Sequence, residues 1–422
     1  MGRTRQSKRI LVHVWVAGFM FLSGDLSAQS DSSRKTPDKT SSSIDSTSFP
    51  AYPQKDLTDV VHALTRKKKD NLPVKPGPPV KYHFSIVPAI GYTLSTGFAG
   101  ILASNVAFFA DDPARTNVSN IAVQLVYSQY QQLTIPILVN YWTRDNQFNI
   151  VVDWRYYKYP QDTYGLGGHS SLGNENEIDY SQFRIHQSVL KKLTQNLYAG
   201  VGYYLDYHWN VSEEGLHNGE HSDAFLYGLP DKTVSSGGVL NLLIDSRKNS
   251  INPQGGFYAD VLYRDNLRTL GSDTNWESLT LDLRKYFRLS SDGRNILAFW
   301  SYNWLTLSGK PPYLDLPATG WDTYNNTGRG YIQGRFRSDD MLYLEAEYRF
   351  PISRNGLFGG VAFANMQSFS DYPSRQFSKL WPAAGGGLRI KVNKHSNTNI
   401  AIDYGIGIDG SKGFFVNLGE VF

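Results

Sequence analysis

Three groups of residues in this 422-residue chain have types and spacings that could do chemistry. Gly168-His169-Ser170-Ser171 sets a hydroxyl beside an imidazole, the pair a nucleophile and its base require, but neighbours in sequence bring no third group to orient them. His217, Glu220, His221 and Asp223 are metal-donor types, yet two His four apart share a face only on a helix. Both groups lie among other polar residues and read as solvated loop. The third group is different. Arg329 stands between Gly328 and Gly330, with Tyr331 next, and Glu345 and Glu347 follow two apart. A guanidinium and a carboxylate that leave water together make a charge-assisted, often bidentate pair. That pair holds structure in place and makes no bond, so the chain reads as a non-enzyme with no catalytic residue, metal or cofactor. No phosphate-cradling loop, dinucleotide fingerprint or nucleic-acid-binding stripe accompanies it.

The elements that must position these residues are strands. In Trp276 to Leu289 one parity reads Leu279, Leu281, Leu283, Phe287, Leu289 and the other Ser278, Thr280, Asp282, Arg284, Tyr286, Arg288. Ile400, Ile402, Tyr404 and Ile406 alternate likewise with Asn399, Ala401, Asp403 and Gly405. Sixteen such segments run from Tyr82 to Phe422, the first at 82–93 and the last at 413–422. A closed sheet with lipid outside and water or charge inside must be written this way. The expected fold is all-β, a 16-stranded antiparallel transmembrane β-barrel. The connections at 159–177, 211–232 and 308–339 are long, whereas Ser290–Gly293 and Ser353–Gly356 are tight, which puts the long ones outside and both ends in the periplasm. Arg329 then sits on the sixth external loop, and Glu345, Glu347 and Arg349 face the lumen from the strand after it, so the loop is expected to fold inward.

The N-terminal part is different material. Arg3, Arg5, Lys8 and Arg9 precede an apolar run from Ile10 to Leu22 and the small residues Ser27 and Ala28, the pattern of a secretory signal peptide over 1–28. Thirteen residues interrupted by His13 are too few to cross a bilayer as a helix. Removing this segment takes away four Lys/Arg and one acidic residue, so the net charge falls from +4 to +1. The basic balance is therefore no argument for nucleic acid. Residues 29–80 are rich in Ser, Thr, Asp, Lys and Pro and read as a mostly disordered periplasmic segment, with a short amphipathic helix near 56–68 carried by Leu57, Val60, Val61 and Leu64. The barrel takes 81–422. The absence of cysteine excludes disulfides and thiol chemistry.

On these residues the chain resembles the BamA and TamA superfamily of outer-membrane insertases and two-partner secretion transporters, the bacterial surface antigen barrel. That family carries Arg-Gly-Phe/Tyr at the tip of its sixth external loop, a Glu before a Pro in strand twelve and Phe-x-Asp in strand thirteen. Here Arg329-Gly330-Tyr331, Glu347 before Pro351, and Phe363 match. Gly328 replaces the usual Val or Ile, and Asn365 replaces the Asp. Asn365 can accept a hydrogen bond from Arg329 but offers no charge, so Glu347 with Glu345 is expected to carry the ion pair. Tyr164-Gly165-Leu166-Gly167, Asp245-Ser246-Arg247 with Asn252-Pro253 and Gly256, and Leu418-Gly419-Glu420-Val421-Phe422 extend the resemblance over the whole barrel. The family's periplasmic POTRA modules have no counterpart in 29–80, which implies a barrel-only member.

The resemblance implies a lateral seam between first and last strands, and Pro88, Gly91, Gly413 and Gly419 weaken strand pairing there. Leu418 and Phe422 look like the signal by which such barrels are themselves assembled. The function it implies is insertion or translocation of proteins at the bacterial outer membrane. Unfolded outer-membrane or secreted clients, periplasmic accessory proteins and membrane lipid or lipopolysaccharide are the implied partners. The alternative is a passive or gated channel, or a lipid-handling structural barrel.

Overall fold

A computed structural model describes residues 54–57, 59, 60, 63, 82–112, 115–247, 249–394 and 397–422. The expected signal peptide lies outside these residues, as does nearly all of the expected linker. The alternating segments form β1 (Tyr82–Thr93), β2 (Gly97–Phe108), β3 (Ser119–Ser128), β4 (Leu133–Trp142), β5 (Phe148–Lys158), β6 (Gln161–Thr163), β7 (Asn176–Thr194), β8 (Leu197–Glu213) and β9 (Lys232–Asp245). They continue as β10 (Gly256–Asn266), β11 (Trp276–Arg288), β12 (Ile296–Gly309), β13 (Asp340–Pro351), β14 (Phe358–Phe369), β15 (Trp381–Asn393), β16 (Thr398–Gly407) and β17 (Lys412–Leu418). The three-residue β6, read as loop from the sequence, prolongs the β5 edge along β7 beyond Pro160. The wall therefore has sixteen strands, each antiparallel to its neighbours in the chain.

The apolar parity faces outward. Leu102, Val201, Leu240 and Leu344 are 48%, 62%, 58% and 53% exposed on that face. A belt of this size cannot stay in water, so the wall is membrane-spanning. The opposite parity fills the lumen with charge: Arg155 on Asp153 at 2.5 Å, Arg284 on Asp282 at 2.6 Å, and Asp206 taking Arg184 at 2.8 Å and Arg264 at 2.7 Å. Pairing spares each of these ions the cost of entering the lumen alone.

Both mouths are covered. Outside, the 310–339 loop descends into the lumen, and the 159–175, 214–231 and 370–380 loops close over it. Trp381 Nε1 donates to Gly168 O at 2.7 Å, Gly167 N to Arg337 O at 2.8 Å, and Tyr227 OH to Pro311 O at 2.8 Å. On the periplasmic side the 246–255 connection crosses the opening: Glu420 N donates to Ile251 O at 3.1 Å and Asn252 Nδ2 to Asn397 O at 3.1 Å.

A short helical piece ahead of β1, at residues 57, 59, 60 and 63, is capped reciprocally by Asp56 and Asp59, each main-chain N–H bonding the other's carboxylate at 3.0 Å. It docks on the periplasmic turns. Lys55 N donates to Asn355 O at 3.0 Å, Lys394 N to Asp56 at 3.0 Å, and Lys394 Nζ to Asp59 at 2.8 Å. The Lys394 hydrogen bond holds the Asp59 carboxyl below its ordinary 3.8. A lowered folded value means the anchor is at full strength above 3.8 and is lost as pH falls through that lowered value. A nitroxide placed at Ala63 should be immobilised at neutral pH and mobile in strong acid; a signal independent of pH would remove the anchor.

Candidate functional site

The register of β13 to β16 builds the seat for the loop tip. Glu347 lies opposite Phe363, which faces Gly385, which faces Gly405; one row over, Glu345, Asn365, Ala383 and Gly407 align. Side chains of one parity share a face, so a carboxylate ledge on β13 continues into a bare patch on β15 and β16. The loop tip rests on that patch. A Cβ on Gly405 would lie 2.7 Å from Gly330 N, and one on Gly407 2.5 Å from the Tyr331 ring. Gly330 itself has φ +110°, a backbone that side chains resist. Gly405→Val should therefore unseat the tip at a cost of about 1–3 kcal/mol, seen as new protease cleavage within 310–339 on the intact barrel; unchanged resistance would mean the patch is not the seat.

Arg329 is buried at the centre of this site. Its Nη2 donates to Glu345 and, at 2.5 Å, to Glu347, while Nη1 donates to Asp403 at 2.5 Å. The guanidinium carbon lies 3.7 Å from the Phe363 ring centroid, a cation held against an aromatic face. Asp403 on β16 went unassigned in the sequence reading and supplies the charge that Asn365 lacks. Asn365 behaves differently from expectation: instead of accepting from the guanidinium, its Nδ2 donates to Arg329 O at 2.8 Å. It orients the loop main chain. Tyr343 OH caps Glu345, Tyr331 OH donates to Pro382 O at 2.7 Å, and Ser411 Oγ donates to Gly330 O at 2.8 Å.

The network extends to the last residues of the sequence. Arg349 bonds Glu347 at 2.7 Å, Arg389 bonds Asp403 at 2.5 Å and Glu420 at 2.7 Å, and Arg349 Nη2 donates to Phe422 O at 2.8 Å. Phe422 was expected to end the final wall strand. Instead β17 ends at Leu418, which points outward and is 63% exposed, and Gly419 turns the chain inward with φ +102°. Phe422 is buried in the lumen, stacked on Trp300 with centroids 5.2 Å apart. Only a residue free to adopt positive φ allows the turn, and a strand pattern continued through a glycine hid it.

Pro88 and Gly91 lie on β1 and Gly413 on β17, with Gly419 one residue beyond the end of β17. β1 pairs with β2 along its length, and among the described residues no ladder joins it to β17. At the external end Leu94 covers Gly413, where an added Cβ would meet Leu94 Cγ at 2.6 Å. Gly419 marks where the opposite edge turns away.

The other two groups do not converge on a reaction centre. Ser170 is buried and held by Arg335, whose Nη1 donates to its Oγ at 3.0 Å. His169 Nε2 instead meets Ser378 Oγ at 2.7 Å, with Asp371 bonded to that same hydroxyl and 3.8 Å from the same ring nitrogen. A catalytic acid would hold the other nitrogen of the imidazole. His221 stacks on Phe225, and Asp223 accepts from Leu166 N at 2.8 Å. Among the described residues no three His, Asp or Glu side chains cluster in a metal-holding arrangement.

No protein-family profile matches the chain, and no curated protein matches it. Solved structures do. BamA from Haemophilus ducreyi lacking POTRA domains 1–3 superposes with a TM-score of 0.51 at 14% identity, over 80% of this chain and 70% of that one. CdiB from Acinetobacter baumannii gives 0.51 at 14% identity over 81% and 60%, and CdiB from Escherichia coli 0.51 at 10% over 80% and 63%. The chain thus spans less than two thirds of the CdiB chains. With its sixteen strands, inward sixth loop and unsealed seam, it has the outer-membrane barrel fold of BamA and CdiB.

Proposed function

We propose that the protein assists the insertion or translocation of proteins at the bacterial outer membrane by presenting the free edge of β1 to an incoming chain. The observation that carries this reading is the β1 edge: among the described residues it has a ladder partner on one side only, in a wall whose other neighbouring strands are all paired. Unpaired N–H and C=O groups within a bilayer lack water to bond, so such an edge is a template for an added strand. The client, an unfolded outer-membrane or secreted polypeptide, supplies that strand, and no covalent chemistry is asked of the barrel. The covered mouths argue against a passive channel, which needs an open axial path. Periplasmic accessory proteins would deliver the client to the turns on that side.

A removable lock tests the reading. The chain has no cysteine, and Leu94 and Gly413 are close enough for a disulfide between introduced cysteines. In proteoliposomes, oxidised Leu94→Cys/Gly413→Cys protein should fold an added outer-membrane barrel no faster than protein-free vesicles, and reduction should restore the rate. Equal rates in both redox states would sink the lateral route.

A further inference from the structure

The lumen charge stops abruptly at β5. Residues 82–110 and 118–143, which contain β1 to β4, include no Asp, Glu, Lys or Arg, whereas β5 begins the charged lining with Asp153 and Arg155. The inward parity of β2 to β4 carries Ile101, Ala103, Ala122, Val126, Pro136 and Leu138, aligned by the pairs Ile101 with Val126 and Ala122 with Leu138. These side chains stay half-buried, while their counterparts on β13, Tyr343, Glu345 and Glu347, are fully packed beneath the loop. The plug fills one side of the lumen and leaves this small-residue wall uncovered. Asn105, Asn120 and Asn140 stand toward the periplasmic end of this wall, with one further amide, Gln124, opposite Ala103 at mid-height and Ile101, Val126 and Ala99 above it.

This trough borders the seam, and the seam is asymmetric. Leu94 over Gly413 narrows it at the external end, while residues 419–422 leave the wall at the periplasmic end. The opening therefore faces the periplasmic leaflet. We infer that the inner wall of β2 to β4 is a lipid site, taking the acyl chain of a phospholipid that enters from that leaflet between β1 and the inward-turned residues 419–422. An uncharged wall accepts hydrocarbon without leaving ions unpaired. Small side chains leave width for it, and the amides at the entrance can bond the ester region. The seam geometry supports this site independently of client insertion.

The test uses the full-length wild-type protein in phosphatidylethanolamine/phosphatidylglycerol vesicles doped with a phospholipid bearing a diazirine at the end of one acyl chain. After illumination, mass spectrometry should place adducts on the inward positions Ala103, Ala122 and Leu138 as well as on the outward Leu102 and Leu125. Ala103→Trp/Ala122→Trp should lose the inward adducts and keep the outward ones, which also shows that the variant is folded. Adducts confined to outward positions would overturn the site. So would displacement of the inward adducts by added lipopolysaccharide, or capture of polypeptide rather than lipid by a photoreactive residue at position 122 in cells. Inward adducts in a preparation that inserts no client would keep the lipid site and remove the insertion reading alone.

Discussion

Replacing Arg329 by Met should destabilise the barrel by about 3–5 kcal/mol, the scale for stranding a buried charge. The cause is the imbalance left behind. Glu345, Glu347, Asp403 and Glu420 converge there, and without Arg329 only Arg349 and Arg389 remain to face them. Asp403 keeps Arg389, and Glu347 keeps Arg349 at 2.7 Å with Arg389 at 3.8 Å, but Glu345 keeps only the Tyr343 hydroxyl. Glu345 is thus the ion that pays for the loss. Adding Glu345→Gln to the Met variant should recover most of the stability, because a neutral amide tolerates burial far better than an unpaired carboxylate. Denaturant titration of the refolded barrel, read by heat-modifiable mobility, measures both. Equal stability of wild type and the Met variant would mean that the ion cluster contributes nothing net.

Deleting residues 310–339 across a short Gly-Ser linker should convert small, flickering conductance in planar bilayers into large, steady steps. The loop brings Tyr331 and Phe336 into the lumen against Trp381 and Phe369, so its removal empties the cross-section between β12 and β16. The 246–255 connection still bridges the periplasmic mouth, and a further deletion there should enlarge the steps again. Arg329→Met alone should leave the loop seated, since Tyr331, Ser411 and Asn365 still hold its tip, and should show more frequent openings at unchanged step size. A large steady wild-type pore would contradict the plug.

The wall and the position of its longest loop were legible because lipid on one side and water on the other force a period of two that nothing else in the chain disturbs. Glu345 and Glu347 followed from it, since parity assigns them to the lumen, whereas Arg329 was legible from its glycine-flanked place on the loop and the motif it resembles. Asp403 carried the same parity signal, but its meeting with Arg329 depends on the register of β13 through β16. Alternation gives a face and leaves neighbours across strands unassigned. Gly405 and Gly407 share the parity of Asp403, but only the descent of the loop onto them shows why side chains are absent there. Phe422 failed for the opposite reason, because apolar spacing continues past Gly419 while the backbone does not.

The inward turn at Gly419 has a consequence for energetics. Asn326 in the loop grips Val421 O at 2.7 Å, and Arg329 and Arg389 share Asp403 while Arg389 also holds Glu420. The plug and the end of the seam strand are therefore fastened to one another, and neither can shift without work done on the other. In thermodynamic terms they are two reporters of one equilibrium, so any ligand that favours an undocked loop must, by reciprocity, favour the rearranged seam by the same free energy. An antibody to the outer loops and any ligand of the periplasmic end of the seam would sense each other across the full thickness of the membrane without touching.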